Sequence, residues 1–294
     1  MSVRVVSVSG MSDMPSPWRL TAPQRLNWIA EQCESWKRYR ESPQVAAPGS
    51  ILAVDDAVLA EPPPSHLIAY RIAHAVEHLE FFLYPLVNGG VGFPTAPNTV
   101  ARSGVIAAAH ALWMLGPAER AERQRRGLRM AYLEAARERT ALYEVESGPG
   151  TRDAPTRRAI WQRQVERCDD TMARAIAAGA TLDMTAKDVT RVPDDTTVID
   201  HVAKDYIAAS HTDDAALVTA YRLNWRMHSG NAHALRWAAL WHSDSLGSFT
   251  RGGAAVRITA GGEEGLSMVG AAMALFTKRA IELFEHARQR PTDR

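Results

Sequence analysis

The stretch EEGLSMVGAAMALFTKRAIELFEHA, residues 263–287, decides the fold class. Leu266, Val269, Met273, Phe276, Ala280, Leu283 and Ala287 recur at spacings of 3, 4, 3, 4, 3 and 4. That is the period of one apolar stripe on an α-helix, sustained over six intervals. The same period appears upstream in SHLIAYRIAHAVEHLEFFLYPL, from Ser65, where Ile68, Ile72, Ala75, Leu79, Phe82 and Leu86 form the stripe. A PPP run precedes this second helix, and Asn88-Gly89-Gly90 marks its expected end.

Working outward, a first helix opens at Thr21, which has capping-box spacing to Gln24 and carries Leu26, Ile29, Cys33 and Trp36 on one face. Residues 42–64 are Pro-rich and read as a packed loop with at most one helical turn. The segment VARSGVIAAAHALWML, starting near Thr99, is rich in small residues that permit close approach of neighbouring helices. Further helices are expected over about 118–145, 153–176, 197–210 and 213–242. Alternation at Val256 and Ile258 favours a short extended segment near residues 254–260. No internal repeat or linker stands out. The expectation is an all-α fold, a single-domain bundle of six to eight helices over residues 21–290, preceded by a flexible leader at residues 1–20.

Composition excludes several classes. In a chain of 294 residues, 46% are hydrophobic and 23% charged, as in an ordinary globular domain. Lys plus Arg (34) balances Asp plus Glu (33), so no global field attracts nucleic acid or acidic lipid. The longest apolar run, Val105–Leu115, contains His110 and is shorter than the roughly 20 residues of a membrane span. Cys33 and Cys168 are far apart and form no ligand cluster, which fits a reducing, cytoplasmic setting. No Gly-rich phosphate loop or nucleophile motif occurs, and no cofactor is expected.

The densest polar constellation is YRLNWRMHSGNAHALRWAALWH, residues 221–242. Arg222, Arg226, Ser229, His233 and Trp237 follow spacings of 4, 3, 4 and 4 and so share a helical face. An Arg offers a fixed fork to phosphate, and a His near neutrality suits proton transfer. These residues are the candidate catalytic set, in competition with a purely structural role. A face so rich in aromatics is expected to be partly buried, with His233 contributing to stability.

A second constellation, His74-Ala75-Val76-Glu77-His78, has the HxxEH order in which two His one turn apart hold zinc around a Glu base. No third ligand is apparent, and no metal is expected. Arg120, Arg123, Arg125, Arg126 and Arg129 crowd ten residues; with Glu119 and Glu122 between them they read as a solvated, salt-bridged face rather than an RNA contact. Asp55-Asp56 and Asp194-Asp195 lie in turns, where carboxylates cap helices.

The spacing from Arg226 to His233, with six residues between, resembles the Arg/His motif of the helical HEPN ribonucleases. That resemblance implies an Arg that stabilises phosphate charge, a His that assists attack by a ribose hydroxyl, and no metal. The blocks AVDDAVL (53–59), AVEHLEFF (75–82), VARSGVIAAAHALWMLGPAERAERQRRGL (100–128) and NWRMHSGNAHALRWA (224–238) together resemble an uncharacterised all-helical family of actinobacteria and their phages, distantly HEPN-like. Two positions depart from these patterns: Met227 follows Arg226 where a polar residue is usual, and Ile106 stands where the family commonly has Glu four residues after the central-helix Arg.

Three functional expectations follow. The first is a non-catalytic or regulatory helical protein, phage- or prophage-related, that acts by binding a protein partner or assembling as a homo-oligomer such as a homodimer. The alternative is a metal-independent ribonuclease or toxin that binds RNA through Arg226 and His233, with Arg222 and Ser229 in support. The second alternative is a zinc hydrolase through His74, Glu77 and His78. None involves a membrane.

Overall fold

A computed structural model describes residues 17–42, 44–88, 95–146, 155–207, 215–241, 243–251 and 254–290. The fold is all-α in class. The described residues form eleven α-helices and one β-hairpin: α1 (Ala22–Glu41), α2 (Ile51–Asp56), α3 (Pro64–Asn88), α4 (Ala96–Leu115), α5 (Arg120–Glu146), α6 (Pro155–Ala180), α7 (Ala186–Thr190), α8 (Asp195–Val202), α9 (Ala215–Ala232), α10 (Arg236–Trp241), β1 (Ser243–Arg251), β2 (Ala254–Gly261) and α11 (Glu263–Arg288). None of these helices is long and apolar enough to cross a membrane.

The chain divides into two compact units, residues 1–44, 71–112 and 195–282 forming the first and residues 45–70, 113–194 and 283–294 the second. Three of the boundaries fall inside α3, α4 and α11. No Pro- or Gly-rich joint marks those crossings, which is why the sequence reads as one domain.

In the first unit, α1 starts as its capping signal dictates: the Thr21 N–H donates to Gln24 Oε1 at 3.0 Å. Its buried face is Arg25, Trp28, Ile29, Gln32, Cys33, Trp36 and Tyr39, rotated slightly from the expected stripe so that Arg25 replaces Leu26 in the interior. Arg25 is 2% exposed. Its donors are spread over Pro17 O (3.1 Å), Leu20 O (2.6 Å), Ser267 Oγ (2.7 Å) and Glu264 Oε1 (2.9 Å), which ties the segment before α1 to the first turns of α11. Of the expected leader, residues 1–16 lie outside the described residues; Pro17–Arg19 form a 3-10 turn with Pro17 buried.

Burial is continuous around α11 from Val269 to Thr277 and around α4 from Ala107 to Leu115. α11 packs against α1 and α3. Gly270 permits this packing, because a Cβ there would lie 2.7 Å from Phe82 Cε1 and 2.9 Å from Ile29 Cδ1. Tyr221 of α9 stacks on Phe276 with ring centroids 4.4 Å apart, joining α9 to the same core.

The expected extended segment is real but has a partner. β1 and β2 pair antiparallel, with an irregularity between Ser245 and Gly247. The expected helix over 213–242 is broken: α9 ends at Ala232, and α10 begins at Arg236. Ala234 adopts φ 56°, and the Leu235 N–H returns to Gly230 O at 2.8 Å, a left-handed helix termination. The helix expected over 197–210 likewise gives way after Val202 to a π-helical turn at Ala203–Ile207.

In the second unit, α5 and α6 run antiparallel, joined by Trp161 Nε1 donating to Leu142 O at 2.8 Å and by Arg139 with Asp169 at 2.6 Å. Leu128, Met130, Val165, Cys168 and Val189 are buried here. The Asp55-Asp56 pair is structural. Asp56 accepts from the Ser65 N–H at 2.8 Å and its hydroxyl at 2.6 Å, capping α3, while Asp55 receives a bidentate contact from Arg123 at 2.7 and 3.2 Å.

Candidate functional site

The four residues singled out on α9 fall on its solvent side. Arg222 and Arg226 are exposed, Ser229 is half-buried and His233 is exposed just beyond the helix end. Arg222 is engaged with Asp200 at 2.7 Å. Arg226 forms no ion pair or hydrogen bond among the described residues. The expected partial burial of this face is confined to Ser229 and to Trp237, which is 44% exposed with its ring over Gly230, while His233 is exposed. α9 instead buries Tyr221, Trp225 and His228, at spacings of 4 and 3, which share the apolar interior with Met227. Two stripes of the same period compete on this helix, and the one without arginines faces inward because two guanidiniums are costlier to desolvate than one imidazole and two aromatic rings.

That inward stripe belongs to a polar seam absent from the sequence reading. Trp225 Nε1 donates to Thr196 Oγ1 at 3.1 Å, at the start of α8. The preceding residue, Asp195, receives His110 Nε2 of α4 at 3.2 Å, with the His110 side chain 9% exposed. Two turns before His110 on α4, the guanidinium of Arg102 stacks over the Trp225 ring, 5.0 Å from its centroid. Three elements therefore supply a chain of contacts from His110 through Asp195, Thr196 and Trp225 to Arg102. Tyr221, one turn before Trp225, is fully enclosed, and burial holds its phenol well above the usual tyrosine range. Arg102 and His110 lie two turns apart on α4, with Ile106 between them.

His74 and His78 are neighbours, their ring centroids 3.9 Å apart and planes 40° apart. His78 Nδ1 donates to the His74 carbonyl at 2.9 Å. Burial, with His78 and Arg71 nearby, pushes the His74 imidazole below its ordinary value. Glu77 is exposed. Among the described residues, no three His, Cys, Asp or Glu side chains gather where they could share a metal ion.

The arginine run is salt-bridged as expected, but apart from the exposed Arg120 its side chains are half-buried or buried clamps. Arg123 holds Asp55, Arg125 donates to Leu182 O at 3.1 and 3.0 Å, Arg126 holds Glu122 at 2.9 Å and Trp113 O at 2.7 Å, and Arg129 donates to Asp188 O at 3.0 Å. These guanidiniums close the second unit, and their committed donors are not offered to phosphate.

One further surface stands out. α3 buries Ile68, Ile72, Ala75, Val76, Leu79 and Phe82, yet Tyr70, Phe81 and Tyr84 are 68%, 65% and 68% exposed. Within the first unit, Glu77, Phe81 and Tyr84 follow spacings of 4 and 3, one face of the helix.

No family model, curated protein or solved structure matches the chain.

Proposed function

We propose that this chain is a non-catalytic or regulatory helical protein that acts by binding a partner or a second copy of itself through the exposed face of α3. The observation that carries the reading is the pair Phe81 and Tyr84, two large aromatic side chains each about two-thirds exposed on one face of a helix whose other face is core. Scattered exposed apolar residues are ordinary, but aligned aromatics are the residue types that anchor interfaces. The arginines and histidines that a catalytic reading relies on are either engaged internally or spread along an open helix surface.

Sedimentation of protein purified gently from its native cells tests the proposal. Wild type should sediment as a species heavier than the 32.3 kDa chain, and a Phe81→Ser/Tyr84→Ser variant as the chain alone with unchanged melting. A wild-type protein that sediments only as the single chain, or a variant that keeps the heavier species, overturns it.

The ribonuclease reading retains one supporting observation: Arg226 and His233 are both open to solvent, where an RNA phosphate can reach them. Cleavage of RNA by wild type and its loss in Arg226→Ala would establish that reading, and the absence of cleavage by wild type would end it.

A further inference from the structure

Four arginines of this protein that leave water wholly or in part are answered by carboxylates. Arg25, Arg123, Arg126 and Arg288 meet Glu264, Asp55, Glu122 and Glu285 at 2.9, 2.7, 2.9 and 2.8 Å. Arg102 is half-buried and differs. Among the described residues it forms no ion pair and no hydrogen bond, and its Nε is buried without a partner. Its one specific contact is the face of Trp225, itself 5% exposed and pinned to Thr196. The two carboxylates of α8 are committed elsewhere, Asp195 to His110 at 3.2 Å and Asp200 to Arg222 at 2.7 Å. The position that could supply a counter-charge within the helix, one turn after Arg102, is Ile106.

A guanidinium drawn partly out of water without a counter-charge is unfavourable, and stacking on an aromatic ring compensates only part of that cost. What stacking does supply is orientation, because it holds a planar fork in place before anything binds. Arg226, the residue after Trp225, adds a second cation on the neighbouring helix surface, with no partner among the described residues. We propose that Arg102, held on Trp225, is the recognition centre for a small ligand bearing an oxyanion, either phosphate or carboxylate, whose charge completes the pair that the fold leaves open. The fork geometry of Arg matches both groups in bidentate fashion. This site is independent of the α3 surface and stands whether or not that surface binds a partner.

The test uses the full chain, with pyrophosphate and citrate as probes and sodium chloride at matched ionic strength as the reference. Both thermal melting and tryptophan fluorescence are followed, the latter because Trp225 is the stacking partner. Wild type should melt higher and change fluorescence saturably with pyrophosphate, citrate or both, and the probe that acts distinguishes a phosphate from a carboxylate ligand. Arg102→Lys keeps the charge and removes the fork, and should weaken binding at least tenfold. Arg102→Met should abolish binding while melting as wild type does without ligand; a structural role predicts lower melting instead. If Arg102→Met does not fold, the wild-type and Arg102→Lys titrations decide. No response of wild type beyond that to chloride, or equal affinity in wild type and Arg102→Lys, overturns the proposal.

Discussion

Replacing the two ends of the Arg25–Glu264 ion pair should give very unequal losses of stability. Arg25 is 2% exposed and satisfies four acceptors, two of them the main-chain carbonyls of Pro17 and Leu20. Arg25→Ala removes every one of these bonds and the packing of a buried aliphatic stem. Hydrogen bonds to a charged group are worth about 1.5–3 kcal/mol each, but their losses overlap as the segment relaxes. The expected cost is about 3–5 kcal/mol, the range for breaking a buried charged network. Glu264 is 68% exposed, and Glu264→Ala leaves the guanidinium its three other acceptors, so it should cost only about 1–2 kcal/mol. Urea unfolding followed by tryptophan fluorescence reads this directly, since Trp28 and Trp36 lie buried on the same helix as Arg25. If the two variants lose equal stability, or Glu264→Ala loses more, the ion pair and not the carbonyl network holds this corner and the reasoning fails.

Three other outcomes follow from the geometry. Gly270→Ala should cost about 1–3 kcal/mol in urea unfolding, because its methyl would overlap Phe82 and Ile29 in a packed core. His233→Ala should change stability by no more than about 0.5 kcal/mol, since the imidazole is exposed; a loss of several kcal/mol would show a contact the fold does not contain. His74 is held below its ordinary value by burial, His78 and Arg71, so the folded chain binds fewer protons there than the unfolded chain. Its contribution is complete above the unfolded value of 6.5 and is lost as pH falls through the lower folded value, so melting recorded down to about pH 5 should fall less steeply in His74→Gln than in wild type.

Local signals made much of this fold legible. The Thr21/Gln24 box starts α1, the PPP run precedes α3, and the stripe that opens at Leu266 lies in the core as far as Ala280. The end of α9 was not legible, because Ala234 takes a left-handed conformation without the Gly or Asn that announces one. Nor was the buried face of that helix, where Tyr221/Trp225/His228 and Arg222/Arg226/Ser229 have one period and only the neighbouring helices decide between them. β1 escaped notice because SDSLGSFTR alternates weakly and carries an irregularity at its pairing with β2. The arginine clamps of α5 show the same limit at longer range. Their charge was visible, but Arg125 and Arg129 meet main-chain carbonyls 57 and 59 residues away, and no side-chain pattern encodes such partners.

The central claim is that the aromatic face of α3 is covered in the cell. Replacing Phe81 with a photoreactive phenylalanine analogue in the native cell, and Ile160 as an exposed control on α6, tests it most directly. A discrete adduct heavier than the 32.3 kDa chain is expected from position 81 and none from position 160. Irradiation that leaves the position 81 protein at the mass of the single chain, or that crosslinks both positions alike, would contradict it.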